Sequence, residues 1–154
     1  MKANGLIDAD IIAELYRASM AGVRIDLCIR GLCCLRPGVK GISENIRVTS
    51  VVDRFLEHSR IFYFENDGNP KMYMGSSDMM PRNLIARVEI LFPVLDPEML
   101  VQIREKILKI NLGDNVKARI LQPDGTYVMR SRKSNEKKLR SQEWFIENRG
   151  VWHG

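Results

Sequence analysis

Two side chains in this sequence suit phosphate chemistry by type and by neighbourhood, His58 and Arg30. The other histidine, His153, stands one residue from the end, in a tail expected to fray. His58 lies in Glu57-His58-Ser59-Arg60, at the entry to an aromatic run, and strand alternation puts His58 and Arg60 on one face. A histidine beside a fixed cation suits phosphate work: the cation neutralises oxygens while the imidazole attacks, donates a proton or accepts a hydrogen bond. A histidine taken alone is more often structural, so the weight rests on what surrounds it. Gly75-Ser76-Ser77-Asp78 is a turn of small residues able to bring backbone N–H and hydroxyl groups to a phosphate, although an ordinary turn reads the same way. Arg30 closes the alternating run Val23, Ile25, Leu27, Ile29, at the carboxyl end of a strand, where open α/β sheets place ligands. Its planar fork can hold phosphate oxygens bidentately.

The elements that must position these groups are legible from periodicity. Asp10 precedes Ile11, Ile12, Leu15 and Tyr16, and Gly22 follows them, which reads as an N-cap, an amphipathic helix and a glycine stop. A strand over 23–29 follows, and helix-then-strand order is an α/β signature. Residues 31–45, with Gly31, Pro37, Gly38 and Gly41, read as a loop, and the β-branched stretch 46–52 as a second strand. Residues 60–65 and 71–74 flank the turn residues 66–70 as a hairpin, and 85–92 is a further strand candidate. Asp96 and Pro97 start a helix that carries Leu100, Ile103, Ile107 and Ile110 and stops at Gly113. Residues 116–121 and 126–129 form a second hairpin around Pro123, Asp124 and Gly125, and 136–148 a closing helix. Without internal repeats or a linker, the chain reads as one α/β domain over residues 1–154, a mixed sheet flanked by helices.

Composition narrows the classes. No run of eighteen uncharged apolar residues is present and the first ten residues lack the pattern of a signal peptide, so a cytoplasmic protein without a transmembrane segment is expected. Cys28, Cys33 and Cys34 lack the paired spacing of a zinc site and are expected to be reduced, mostly buried thiols, and no metal ligands are assigned to this chain. The net charge of +5 is localised: residues 130–140 carry six basic groups against Glu136, and the remainder sums to zero. Such a block either binds a polyanion or is a solvated face.

The pattern around His58 resembles a degenerate copy of the phospholipase D motif, in which His-x-Lys on a strand is followed by an acid and by Gly-Ser-x-Asn. Arg60 stands for the lysine, Glu65 for the aspartate and Asp78 for the asparagine. Longer blocks are similar to consecutive segments of bacterial polyphosphate kinase: Ile29-Arg30-Gly31-Leu32-Cys33, Gly41-Ile42-Ser43-Glu44-Asn45-Ile46-Arg47, Val52-Asp53-Arg54-Phe55-Leu56-Glu57-His58 and Gly75-Ser76-Ser77-Asp78. The likeness runs from about Asn4 to about Gln142. It implies a phospholipase D-like domain of an ATP-dependent transferase that extends polyphosphate reversibly, with Mg2+, through a phosphohistidine in the domain preceding this one. The magnesium ligands would lie in that absent domain, as would the other half of the site. By the same resemblance, Arg30 contacts nucleotide phosphates and His58 is the second active-site histidine. Arg60, Ser76 and Ser77 are the further phosphate-binding candidates, ATP or ADP, polyphosphate and the preceding domain the partners. The whole enzyme is expected to be a homo-oligomer with possible membrane association.

Two other classes compete. A phospholipase D-type phosphodiesterase or nuclease would need an intact His-x-Lys pair, which Arg60 and Asp78 depart from. A polyanion-binding module would use residues 130–140, yet that block has few aromatics and no known binding motif. No Gly-x-x-x-x-Gly-Lys-Ser/Thr loop is present, so a nucleotide would be held by arginines and shape.

Overall fold

A computed structural model describes residues 1–149, which leaves His153 outside the described residues. Eight strands form one mixed sheet in the order β6-β5-β4-β1-β2-β3-β7-β8. They are β1 (Lys2–Ala3), β2 (Ile25–Ile29), β3 (Ile46–Val51), β4 (Arg60–Phe64), β5 (Lys71–Gly75), β6 (Leu91–Pro93), β7 (Ala118–Leu121) and β8 (Tyr127–Met129). The central strands β1, β2 and β3 are parallel, and every outer pairing is antiparallel. Among the described residues no helix is long and apolar enough to cross a membrane.

Helices cover both faces because the central strands are apolar on both. On one side α1 (Ala9–Met20) lays Ile11, Ile12, Leu15 and Tyr16 against Ala3, Leu27, Ile29, Ile46 and Val48. Its cap is Asp8, whose carboxylate accepts from the Ile11 N–H at 3.0 Å, two residues ahead of the expected Asp10, which instead sits in the first turn. On the other side α2 (Pro97–Ile103) and α3 (Lys109–Gly113) cover Ile61, Met72 and Cys28. Asp96 caps α2 by accepting from Met99 N–H at 2.8 Å, with Pro97 in the first turn. A π-helical turn, Arg104–Leu108, joins the two helices. It moves the buried stripe by five residues, from Ile103 to Leu108, so Leu108 and Asn111 are buried while Ile110, expected in the core, is half-buried.

Two expected boundaries and one burial expectation change. The apolar stretch 85–92 is a strand only from Leu91, preceded by a π-turn at Arg82–Ala86, and Ile85 and Val88 stand 82% and 101% exposed. The closing helix α4 (Ser141–Glu147) begins five residues later than the charge pattern suggests, because residues 130–136 fold back on themselves: Arg130 pairs with Glu136 at 2.5 Å. Finally, Cys28 alone of the three free cysteines is buried; Cys33 is half-buried and Cys34 exposed.

Gly75 ends β5 against the Ile90 carbonyl, where a Cβ would sit 2.2 Å from that oxygen. Backbone cannot yield as a side chain can, so Gly75→Ala is expected to pry β6 from β5 and cost about 1–3 kcal/mol, read as a lower urea midpoint at unchanged m-value.

Candidate functional site

The parallel strands β1 and β2 end side by side. Arg30 N–H donates to Ala3 C=O at 3.3 Å and Gly31 N–H to Asn4 C=O at 2.9 Å, so Asn4 lies beside Arg30. On its other flank β1 pairs antiparallel with β4, Lys2 opposite Ile61, and beyond Ala3 the chain binds Asp78 and Met79 instead. Arg30, at the end of β2, and His58, just ahead of β4, lie at one edge of the sheet, on strands separated by β1. Arg60 pairs with Gly75, which brings the Gly75–Asp78 turn to the same edge. All five residues singled out by sequence thus gather around the carboxyl ends of β1 and β2.

Their chemical states differ. The Arg60 guanidinium is taken up: it pairs with Asp78 at 2.8 Å and 3.3 Å and donates to the His58 carbonyl at 2.6 Å. Asp78, 4% exposed, also accepts from the N–H groups of Asn4 at 2.7 Å and Gly5 at 3.2 Å. The Ser76 hydroxyl binds Glu89 and accepts from Ile90 N–H at 3.1 Å, and the buried Ser77 hydroxyl donates to the Asp78 carbonyl at 2.9 Å. Arg30, half-buried, and His58, exposed, have side chains without a protein partner among the described residues. Asn4 Nδ2, between them, is a buried donor without one. Glu65 lies at the far end of β4, bound to Tyr63 and Arg104, away from this edge.

Sequence reasoning overlooked the residues that hold the His58 segment. Lys2, 5% exposed on a two-residue strand, donates to Ser59 Oγ at 2.9 Å and pairs with Glu57 at 3.1 Å. Gln142 and Arg140, from the start of α4, bind Phe55, Glu57 and Asp53. A pocket of about 440 Å³ opens between Phe55, Glu57 and Ser59 on one side and Ile107, Gln142 and Phe145 on the other. Its wall is mostly apolar and omits His58 itself. Among the described residues no three His, Cys, Asp or Glu side chains converge as a metal cage.

One mixed sheet of eight strands with helices on both faces makes the described residues a single α/β domain. The family model for polyphosphate kinase C-terminal domain 2 matches residues 1–142, and the chain belongs to that family. Polyphosphate kinase 1 of Chlorobaculum tepidum is 52% identical over 149 residues, 97% of this chain and 21% of that protein. The polyphosphate kinase of Synechocystis sp. is 56% identical over 144 residues, 94% of this chain and 20% of that one. The crystal structure of polyphosphate kinase from Porphyromonas gingivalis matches with a TM-score of 0.90 and 44% identity, over 97% of this chain and 23% of that chain. The fold is the phospholipase D-like one expected, and the chain spans about a fifth of the length of the curated relatives it matches.

Burial pushes the Asp78 carboxyl up, but Arg60 and the N–H groups of Asn4 and Gly5 outweigh it and hold the group below its ordinary value of 3.8. A depressed folded-state value means stability that is complete above the unfolded value and lost as pH falls through the folded one. Asp78→Asn is therefore expected to cost about 3 kcal/mol near neutrality, as for one lost partner of a buried pair. Its deficit against the unsubstituted protein should shrink in urea titrations as pH falls below that ordinary value.

Proposed function

We propose that residues 1–154 are the second, C-terminal catalytic domain of a polyphosphate kinase, working with preceding domains of the same polypeptide. The reaction is reversible transfer of the terminal phosphoryl group of ATP to inorganic polyphosphate in the cytoplasm, by an enzyme that is a homo-oligomer. One observation carries the reading. Of the two arginines at the sheet edge, Arg60 is paired with Asp78, whereas the Arg30 and His58 side chains have no partner among the described residues. In this reading Arg30 grips nucleotide phosphate oxygens with its fork, and His58 hydrogen-bonds or protonates an oxygen as charge develops on it. Mg2+ would supply charge neutralisation between phosphates, and in this reading its ligands would come from the preceding domain. The phosphodiesterase alternative is not favoured: the relatives matched are named polyphosphate kinases.

The exposed apolar run from Leu84 to Leu95 supports a partner domain. Ile85, Val88 and Leu95 are 82, 101 and 84% exposed, with Ile90, Leu91 and Phe92 between them, beside an edge strand. Exposed apolar side chains in that number are costly in water, and the rest of the polypeptide, some four-fifths of the relatives' length, is the available cover.

The isolated chain is expected to fold yet not to lengthen polyphosphate from ATP and magnesium, because transfer needs donor, acceptor and nucleophile held together. Chain growth by the purified chain, followed on gels, overturns the half-site reading. In the full-length enzyme, Arg30→Lys keeps the charge and loses the fork, so kcat/KM for ATP should fall on the order of tenfold. His58→Ala should lower kcat by about 10²-fold. Full turnover in both variants overturns the site.

A further inference from the structure

Residues 52–59 join β3 to β4 with neither helical turn nor strand pair of their own. What fixes them comes from other elements, at alternate residues. Arg140 grips the Asp53 carboxylate through Nε and Nη2 at 2.7 and 2.8 Å. The Gln142 amide binds the Phe55 residue on both sides, accepting from its N–H at 2.8 Å and donating to its C=O at 2.9 Å, and Nε2 also donates to Glu57 at 2.9 Å. Lys2 then holds Glu57 and Ser59. The side chain of His58, between two tethered residues, is left untouched among the described residues.

We propose that Arg140 and Gln142 are positioning residues for phosphoryl transfer: they fix the 53–57 segment, and so the place of His58, without themselves touching nucleotide. The inference rests on the reading of His58 given above. A single amide that satisfies both the donor and the acceptor of one residue does for the loop what a neighbouring strand would do, and sets its position and its orientation together. Displacing a catalytic group by about 1 Å costs on the order of a hundredfold in rate.

The seating of α4 does not depend on these two side chains. Asp114 accepts from the Ser141 N–H and hydroxyl at 2.7 and 2.9 Å, and Asn115 accepts from Leu139 N–H at 2.8 Å. Gln142→Ala therefore releases the loop while the helix stays docked.

The test uses a full-length kinase carrying this domain, with Gln142→Ala, Arg140→Lys and His58→Ala alone and in pairs. Hydrogen exchange at Phe55 should quicken about tenfold or more in Gln142→Ala, while Val48 in β3 keeps its protection. Turnover should fall about tenfold or more, and the loss should vanish in the His58→Ala background, because a residue acting through His58 has nothing left to position. Losses that multiply with that of His58→Ala overturn the proposal, as does unchanged exchange at Phe55. Should Val48 also lose protection, Arg140→Lys decides: a smaller loss in kcat, absent without His58, supports positioning, and a multiplying loss overturns it. If His58→Ala leaves turnover intact, the site reading itself fails, which is a different outcome from multiplying losses in an enzyme that needs His58.

Discussion

The buried carboxylate of Asp78 closes the end of the sheet where the site lies. Where β1 stops, the N–H groups of Asn4 and Gly5 have no strand to bind, and Asp78 accepts both while clasping Arg60. One side chain therefore ties the exit of β5, the end of β1 and the start of β4 into a fixed edge. An asparagine in its place has one acceptor oxygen, which cannot serve two backbone donors and an arginine fork together. The cost is that Arg60 becomes part of the frame. Another of its N–H donors goes to the His58 carbonyl, so this cation orients the loop as well.

A second carboxylate organises the other side of the His58 segment by the same means. Asp114, wholly buried, accepts from Val116, Lys117 and Ala118 N–H at the start of β7 and from Ser141 at the start of α4. The two bonds from Ser141 seat the first turn of α4 on Asp114, beyond the fold-back of residues 130–136. From that anchored turn, Arg140 and Gln142 reach the loop between β3 and β4. Asp78 thus fixes the sheet edge on which His58 stands, and Asp114 fixes the helix that tethers the segment carrying it.

What could be read from the sequence depended on the range of the interaction. β2 was legible because Ile25, Leu27 and Ile29 alternate within one short stretch, and the first hairpin because its turn residues are contiguous. β1 was not: two residues carry no period, and its identity as a strand comes from partners 26 and 59 positions away, Cys28 and Ile61. The stretch 85–92 misled for the opposite reason, since its apolar residues face outward and do not mark a buried strand. In the site, residue type pointed to Arg30 and His58. The commitments of Arg60, Ser76 and Gln142 were hidden because each rests on a partner 13 to 87 residues distant.

The same sorting applies to the basic block at 130–140. Arg130 donates to the Gly113 and Asp114 carbonyls and pairs with Glu136, Arg132 donates to the Glu136 carbonyl, and Arg140 is held by Asp53 and Glu143. Each arginine in the block thus makes at least one bond within the fold, which suits a rigid fork with several fixed donors. Lys133, Lys137 and Lys138 remain exposed, as compact charges on flexible stems. The long-range attraction of this face for a polyanion thus comes from the exposed Arg132 and three lysines together, while in the proposed site geometric recognition of phosphate would fall to Arg30, whose fork is unpaired among the described residues.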